Sequence, residues 1–158
     1  MKIVLIAIGK STESWLTEAI SIYEHRLRRY GSFEYIETDD VRIRGAKMTP
    51  QAVANAEAEK VTKLLQPGDH LILFDERGKD LTSLQLADWV QKKQISGLKR
   101  VVLLIGGPYG FNDELKQRAS GKLSLSKLTF SHQMVRVFAI EQIYRAHTIL
   151  KGEPYHHE

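Results

Sequence analysis

Arg100-Val101-Val102-Leu103-Leu104-Ile105 runs directly into Gly106-Gly107-Pro108-Tyr109-Gly110. An unbroken aliphatic run closed by glycine and proline reads as a buried strand ending in a sharp turn. Similar runs rich in β-branched and aliphatic residues occur at 2–8, 33–37 and 70–74, with a shorter one at 122–125. Helical spacing fills the gaps. Trp15, Leu16, Ala19, Ile20, Tyr23 and Leu27 fall three and four apart within a helix predicted over 13–29. A second helix, 50–65, starts at Pro50 with Thr49 as its N-cap and is stopped by Pro67-Gly68-Asp69. A third spans 83–94, and a fourth begins near Asn112 and ends before Gly121. Strand and helix alternate from end to end, so the expected fold class is α/β. Parallel neighbours need long crossovers, which predicts a mostly parallel sheet with helices on both faces.

The chain has 158 residues, 42% of them hydrophobic and 27% charged, which predicts a single domain over 1–158 with a continuous core. The apolar opening Met1-Lys2-Ile3-Val4-Leu5-Ile6-Ala7-Ile8 is short and leads into Gly9-Lys10-Ser11, so it reads as a first strand rather than a leader. No apolar stretch approaches the roughly 20 residues of a membrane span. Cysteine is absent, which removes disulfides, thiolate nucleophiles and cysteine-ligated metals, and fits a cytoplasmic protein. The net charge of +4 agrees with a polyanionic partner and equally with a mildly basic enzyme. Arg42, Arg44 and Lys47 fall in an irregular stretch, 38–48, that reads as a mobile surface loop or an RNA-contacting one.

The last predicted helix, 133–151, is different in kind. Met134, Val135, Val137, Phe138, Ala139, Ile140, Ile143, Tyr144, Ala146, Ile149 and Leu150 surround most of its circumference. An outer helix apolar nearly all round needs cover on an extra face, and a second copy of the chain is the simplest cover. The expectation is a homodimer.

Three segments that follow predicted strands carry more than connector chemistry: Asp75-Glu76-Arg77-Gly78-Lys79, Gly106-Gly107-Pro108-Tyr109-Gly110, and Ser126-Lys127-Leu128-Thr129-Phe130-Ser131-His132. Open parallel sheets bind ligands at the carboxyl edge of their strands, so the three are expected to converge on one pocket. Gly106, Gly107 and Gly110 let the backbone approach a ligand closely, but they form neither a phosphate loop nor a dinucleotide fingerprint. His132 and Arg136, one turn apart, suit an anionic substrate; a capping histidine and a solvated arginine are the alternatives. Arg145 stands four residues after Glu141 and could simply pair with it. The adjacent His156 and His157 in the tail make a poor chelate and have no matching ligand cluster, so no metal is expected.

Taken in order, Phe74-Asp75-Glu76-Arg77-Gly78-Lys79, Ile105-Gly106-Gly107-Pro108-Tyr109-Gly110, the stretch from Leu123 through Arg136, and the ending Pro154-Tyr155-His156-His157 resemble the ribosomal RNA large subunit methyltransferase H family of the SPOUT class. The resemblance covers essentially the whole chain. It implies a C-terminal trefoil knot, which pattern reasoning alone would not suggest because knots are nearly absent from proteins. It also implies a homodimer with each active site at the subunit interface, S-adenosyl-L-methionine as cofactor, and methylation of N3 of a pseudouridine in 23S rRNA of the assembled 70S ribosome. Carried over by position, Phe74, Gly106, Leu125, Ser126, Lys127, Leu128, Thr129 and Phe130 would hold the cofactor. Arg145, Tyr155 and His156 would form the catalytic acceptor pocket, with His132 and Arg136 positioning RNA. Ser131 stands where the family pattern has proline, which predicts a less rigid loop, and Phe74 stands for a more usual leucine. The competing functional classes are a catalytically silent ribosome-binding factor and a methyltransferase for a different RNA.

Overall fold

The structure, a computed structural model, describes residues 1–41 and 49–157. The expectations for Arg42, Arg44 and Lys47 lie outside the described residues. The elements follow in the order β1 (Lys2–Ala7), α1 (Ser14–Leu27), β2 (Phe33–Glu37), α2 (Pro50–Leu64), β3 (His70–Asp80), α3 (Ser83–Ile95), β4 (Arg100–Ile105), α4 (Asp113–Arg118), β5 (Gly121–Ser124) and α5 (Met134–Leu150). All five strands are parallel, in the order β2-β1-β4-β3-β5.

Alternation along the central strands builds two cores at once. Ile3, Leu5 and Ala7 of β1 and Val101, Leu103 and Ile105 of β4 face a layer formed by α1, α3 and α5. Val4, Ile6, Val102 and Leu104 face α2 and α4 instead, through Ala58, Val61, Phe111 and Leu115. This is why the run at 101–105 has no polar position: each face of the strand is covered. Burial of each of these aliphatic side chains is worth about 1.5–3 kcal/mol.

Local chemistry starts the helices where the sequence places them. Thr49 accepts a hydrogen bond from the Ala52 amide at 3.2 Å, and Asn112 accepts one from the Leu115 amide at 3.0 Å. Thr82 and Gln85 form a reciprocal capping box at the start of α3.

Two expectations change. First, β3 does not end at residue 74. Phe74 and Lys79 both register with Leu123 of β5, so the chain between them bulges out and returns to the same rung. Gly78 makes the return possible, because a Cβ there would sit 2.5 Å from the Leu123 carbonyl carbon. Second, α5 is not an outer helix. It lies between α1 and α3, which supply much of the cover expected from a second copy; of its large apolar side chains Phe138, 39% exposed, remains most open to solvent. No described helix is long and apolar enough to cross a membrane.

Candidate active site

The carboxyl ends of β3, β4 and β5 open into a cavity of about 630 Å³. The bulge of β3 contributes Phe74, Asp75, Glu76 and Arg77; the turn after β4 contributes residues 105–111; the segment after β5 contributes Leu125, Ser126 and residues 128–132. The three sequence-distant segments therefore meet, and the volume is in the range of small-molecule sites. Its apolar wall is made by Ile105, Phe111, Leu125 and Val135. Its polar groups include the Asp75 carboxylate, which accepts from the Arg77 amide at 2.9 Å and pairs with Lys122 at 3.4 Å.

Of the expected cofactor residues, Phe74, Gly106, Leu125, Ser126, Leu128, Thr129 and Phe130 line this cavity, and Lys127 does not. Lys127 is corrected accordingly: its side chain points to solvent and approaches Asp80 at 3.8 Å. The loop is ordered from within. Ser124 Oγ donates to the Ser126 carbonyl at 3.0 Å, Ser126 Oγ accepts from the Leu128 amide at 2.9 Å, and the Phe130 ring packs on Phe138 with centroids 4.8 Å apart. Ser131 makes a contact that proline could not. Its hydroxyl accepts from the Met134 amide at 3.1 Å and so satisfies one of the free donors at the start of α5.

His132 is exposed and lines the cavity. Arg136 is corrected as an RNA contact, because it is 1% exposed and its guanidinium is consumed inside the protomer. Nε donates to the His132 carbonyl at 3.1 Å, Nη2 to the Ile8 carbonyl at 2.9 Å, and Nη1 to Ser11 Oγ at 3.1 Å and Glu37 Oε1 at 3.2 Å. It ties the start of α5 to the ends of β1 and β2. Burial alone would raise the Glu37 pKa, yet hydrogen bonds from the Ser11 hydroxyl and amide and from Tyr35, with the Arg136 charge, hold it below its ordinary value.

Arg145, Tyr155 and His156 come together as the sequence suggests, but away from the cavity. Arg145 Nη1 lies 3.3 Å from His156 Nδ1, and the guanidinium carbon sits 4.8 Å from the Tyr155 ring centroid. Glu141 joins them: Oε1 accepts from Arg145 Nη2 at 2.6 Å and from the Tyr155 hydroxyl at 3.0 Å. The simple pairing of Arg145 with Glu141 is thus real and is also one side of a larger cluster. The hydrogen bonds that Arg145 donates to Glu141 raise its pKa, and burial, with Tyr23 and Glu141 close by, raises that of Tyr155. The cluster is consequently a fixed cation beside a neutral phenol. None of Arg145, Tyr155 and His156 lines the cavity.

Sequence reasoning missed Lys116 and Phe111, which reach the cavity from α4 and its approach. It also missed Glu57 of α2, a buried carboxyl behind the glycine turn. Among the described residues no group of three or more histidine, cysteine or carboxylate side chains is placed to hold a metal ion.

Comparison with known proteins agrees with this layout. A family model described as a predicted SPOUT methyltransferase matches residues 1–156. Curated relatives called "Ribosomal RNA large subunit methyltransferase H" include one from Parabacteroides distasonis, 50% identical over 100% of both chains. Others are from Porphyromonas gingivalis, 44% identical over 100% of both, and Cytophaga hutchinsonii, 46% identical over 99% of this chain and 100% of that one. A parallel α/β sheet with three loops converging beyond its strand ends, matched to that model over nearly its whole length, places the chain in the SPOUT methyltransferases, within the ribosomal RNA large subunit methyltransferase H family.

Proposed function

We propose that this chain works in the cytoplasm as a homodimer and transfers the methyl group of S-adenosylmethionine to N3 of a pseudouridine in 23S rRNA of the assembled ribosome. The observation that carries the reading is a separation. The cavity meets α5 at Val135, whereas the Arg145 cluster lies ten residues further along that helix, roughly 15 Å at 1.5 Å per residue. A pocket and an assembled acceptor group that do not meet in one copy are what an isologous dimer joins, the tail of each copy serving the cavity of the other. Phe138 and Leu128, 39% and 75% exposed, offer the apolar surface for that seam. A trefoil knot at the C-terminus belongs to the same proposal.

The cavity suits the cofactor in size and in chemistry. Its apolar wall and the backbone groups of residues 106–107, 125–126 and 128–130 fit an adenine, while Glu76, Arg77 and Lys116 offer both signs of charge to an amino-acid zwitterion. When bound, S-adenosylmethionine supplies a methyl group already made electrophilic by a positively charged sulfur. The protein's task is therefore alignment and exclusion of water. At the acceptor, N3 must lose its proton before it can form the new N–C bond. Arg145, held charged by Glu141 and braced by the Tyr155 ring, can donate a hydrogen bond from Nη1 to a carbonyl oxygen that flanks N3 and stabilise the anion there. His132 on the cavity wall, with Arg77 and Lys116, is placed to meet RNA phosphates.

The test is incubation of the purified protein with labelled S-adenosylmethionine and 70S ribosomes whose pseudouridines are present but unmethylated, followed by nuclease digestion and mass spectrometry. Label on N3 of one 23S pseudouridine is the expected result. Cofactor binding without label would point to another RNA. Absence of both would favour a silent ribosome-binding factor.

A further inference from the structure

Glu57 lies in Ala54-Asn55-Ala56-Glu57-Ala58, mid-way along α2, on the face of the sheet that α2 shares with α4. It is 6% exposed, and its Oε2 is buried without a hydrogen-bond partner among the described residues. Burial raises its pKa against the opposing charge of Lys60, which favours the uncharged acid. A helix surface residue could have pointed to water at no such cost, so what the carboxyl touches matters. It touches the glycine turn. A Cβ placed on Gly107 would lie 2.5 Å from Glu57 Oε1, 2.6 Å from Oε2 and 2.8 Å from the carboxyl carbon. No larger residue fits there while Glu57 keeps this position.

The turn in question is closed on itself by the Gly110 amide donating to the Gly107 carbonyl at 3.1 Å. It is held to α2 at a second point, where Asn112 Nδ2 donates to Asn55 Oδ1 at 3.3 Å. Residues 106–110 line the cavity on their other side. Glu57 is thus in contact with the back of the wall whose front faces the ligand. We infer that Glu57 is a positioning residue for the cofactor: its carboxyl group, wedged beneath Gly107, sets the path of residues 106–110 and thereby the backbone groups presented to the cavity. Gly107 is the matching half of this device, glycine because the wedge occupies the space of a side chain. The inference rests on the reading that this cavity holds S-adenosylmethionine.

Titration calorimetry of the full chain with S-adenosylmethionine tests it, with thermal unfolding of each variant measured alongside. Glu57→Ala removes the wedge and is expected to weaken binding about tenfold, the low end of what removing a group that supports a binding site costs. Glu57→Gln, of the same shape, is expected to restore most of what alanine loses. Gly107→Ala drives a methyl group into the carboxyl oxygens and is expected to weaken binding at least as much. Adding Glu57→Ala to Gly107→Ala opens that space, and the double variant is expected to bind more tightly than Gly107→Ala alone, a coupling opposite in sign to two independent losses. If Glu57→Ala does not fold, Glu57→Asp, which withdraws the carboxyl by one methylene, takes its place in the pair. Unchanged affinity in Glu57→Ala, glutamine as weak as alanine, or no recovery in the double variant overturns the inference. Failure of the unsubstituted protein to bind is a different result, which removes the cofactor reading itself.

Discussion

Two arginines nine residues apart on α5, Arg136 and Arg145, each sit beside a glutamate, and their surroundings make them different objects. Arg136 is 1% exposed at its side chain, reaches Glu37 across the sheet edge, and also serves the carbonyls of Ile8 and His132. Arg145 is 25% exposed at its side chain, pairs with Glu141 one turn away on its own helix, and keeps Nη1 beside His156. The first is locked on every side; the second is braced from one side and open on another. Sequence spacing cannot separate the two cases, because both look like an arginine within reach of a partner. What separates them is whether backbone carbonyls converge on the same place, and after β1 and before α5 those of Ile8 and His132 do.

The largest effect should come from the buried member. Arg136→Ala leaves Glu37 partly buried without its cation and strips a donor from the Ile8 carbonyl. Removing one side of a buried pair costs about 3–5 kcal/mol, so urea or thermal unfolding should show a stability loss of that order. A loss below about 1 kcal/mol, the scale of a surface pair, would break the contrast between the two arginines.

Next comes the catalytic prediction. Arg145→Ala should lose less stability than Arg136→Ala, about 1 kcal/mol, because its pair with Glu141 is only partly buried. It should also bind S-adenosylmethionine normally, because Arg145 does not line the cavity. Methyl transfer to ribosomes should nevertheless fall about 10²–10³-fold, the usual cost of a missing donor to a developing anion. Full activity in this variant would remove Arg145 from the acceptor pocket.

A smaller effect is expected where the loop meets the helix. Ser131→Ala deletes the oxygen that accepts from the Met134 amide, a cap worth about 1 kcal/mol. The loss should appear in thermal unfolding and, because residues 128–132 line the cavity, in a modest weakening of cofactor affinity. Stability unchanged within about 0.3 kcal/mol would mean that the cap is replaced by water.

Much of the fold could be read in advance because its signals are local and repeated. Thr49, Thr82 and Asn112 cap helices with their own side chains, and the aliphatic run at 101–105 announces a strand covered on both faces. The three loops could be placed at one edge because parallel strands all end on the same side. What escaped depends on contacts between distant segments. Glu57 falls four residues from Val53 and Val61, on the buried face of α2, but a carboxylate followed by Glu59 and Lys60 reads as solvated; what it packs against, the back of Gly107, comes from a distant segment. The return of β3 to Leu123 is invisible in Asp75-Glu76-Arg77-Gly78-Lys79, which has the composition of a loop. Arg136 looked like a substrate contact because its acceptors come from β1, β2 and the chain before α5, not from its own helix.

The smallest effect distinguishes the two ends of α5 by pH. Near the N-terminal end, Glu37 has a folded pKa below its ordinary 4.5. Its contribution is present above the unfolded value and is lost as pH falls through the lower, folded one. Near the C-terminal end, His147 is buried, its ring stacked on Tyr30 at 5.6 Å, and burial followed by the Lys151 charge lowers its pKa from 6.5. Here the unfolded chain binds the proton first, so stability begins to fall as pH drops below about 6.5 and stops falling once the folded histidine also titrates. The C-terminal end should therefore sense acid before the N-terminal end does. His147→Gln, which cannot take a proton, should reduce the slope of unfolding free energy just below pH 6.5, leaving the share of His70, also lowered by burial, and the loss below 4.5 in place. A variant that keeps the whole upper slope would show that another group titrates there, and that the end of α5 carrying Arg145 is no more acid-sensitive than the end held by Arg136.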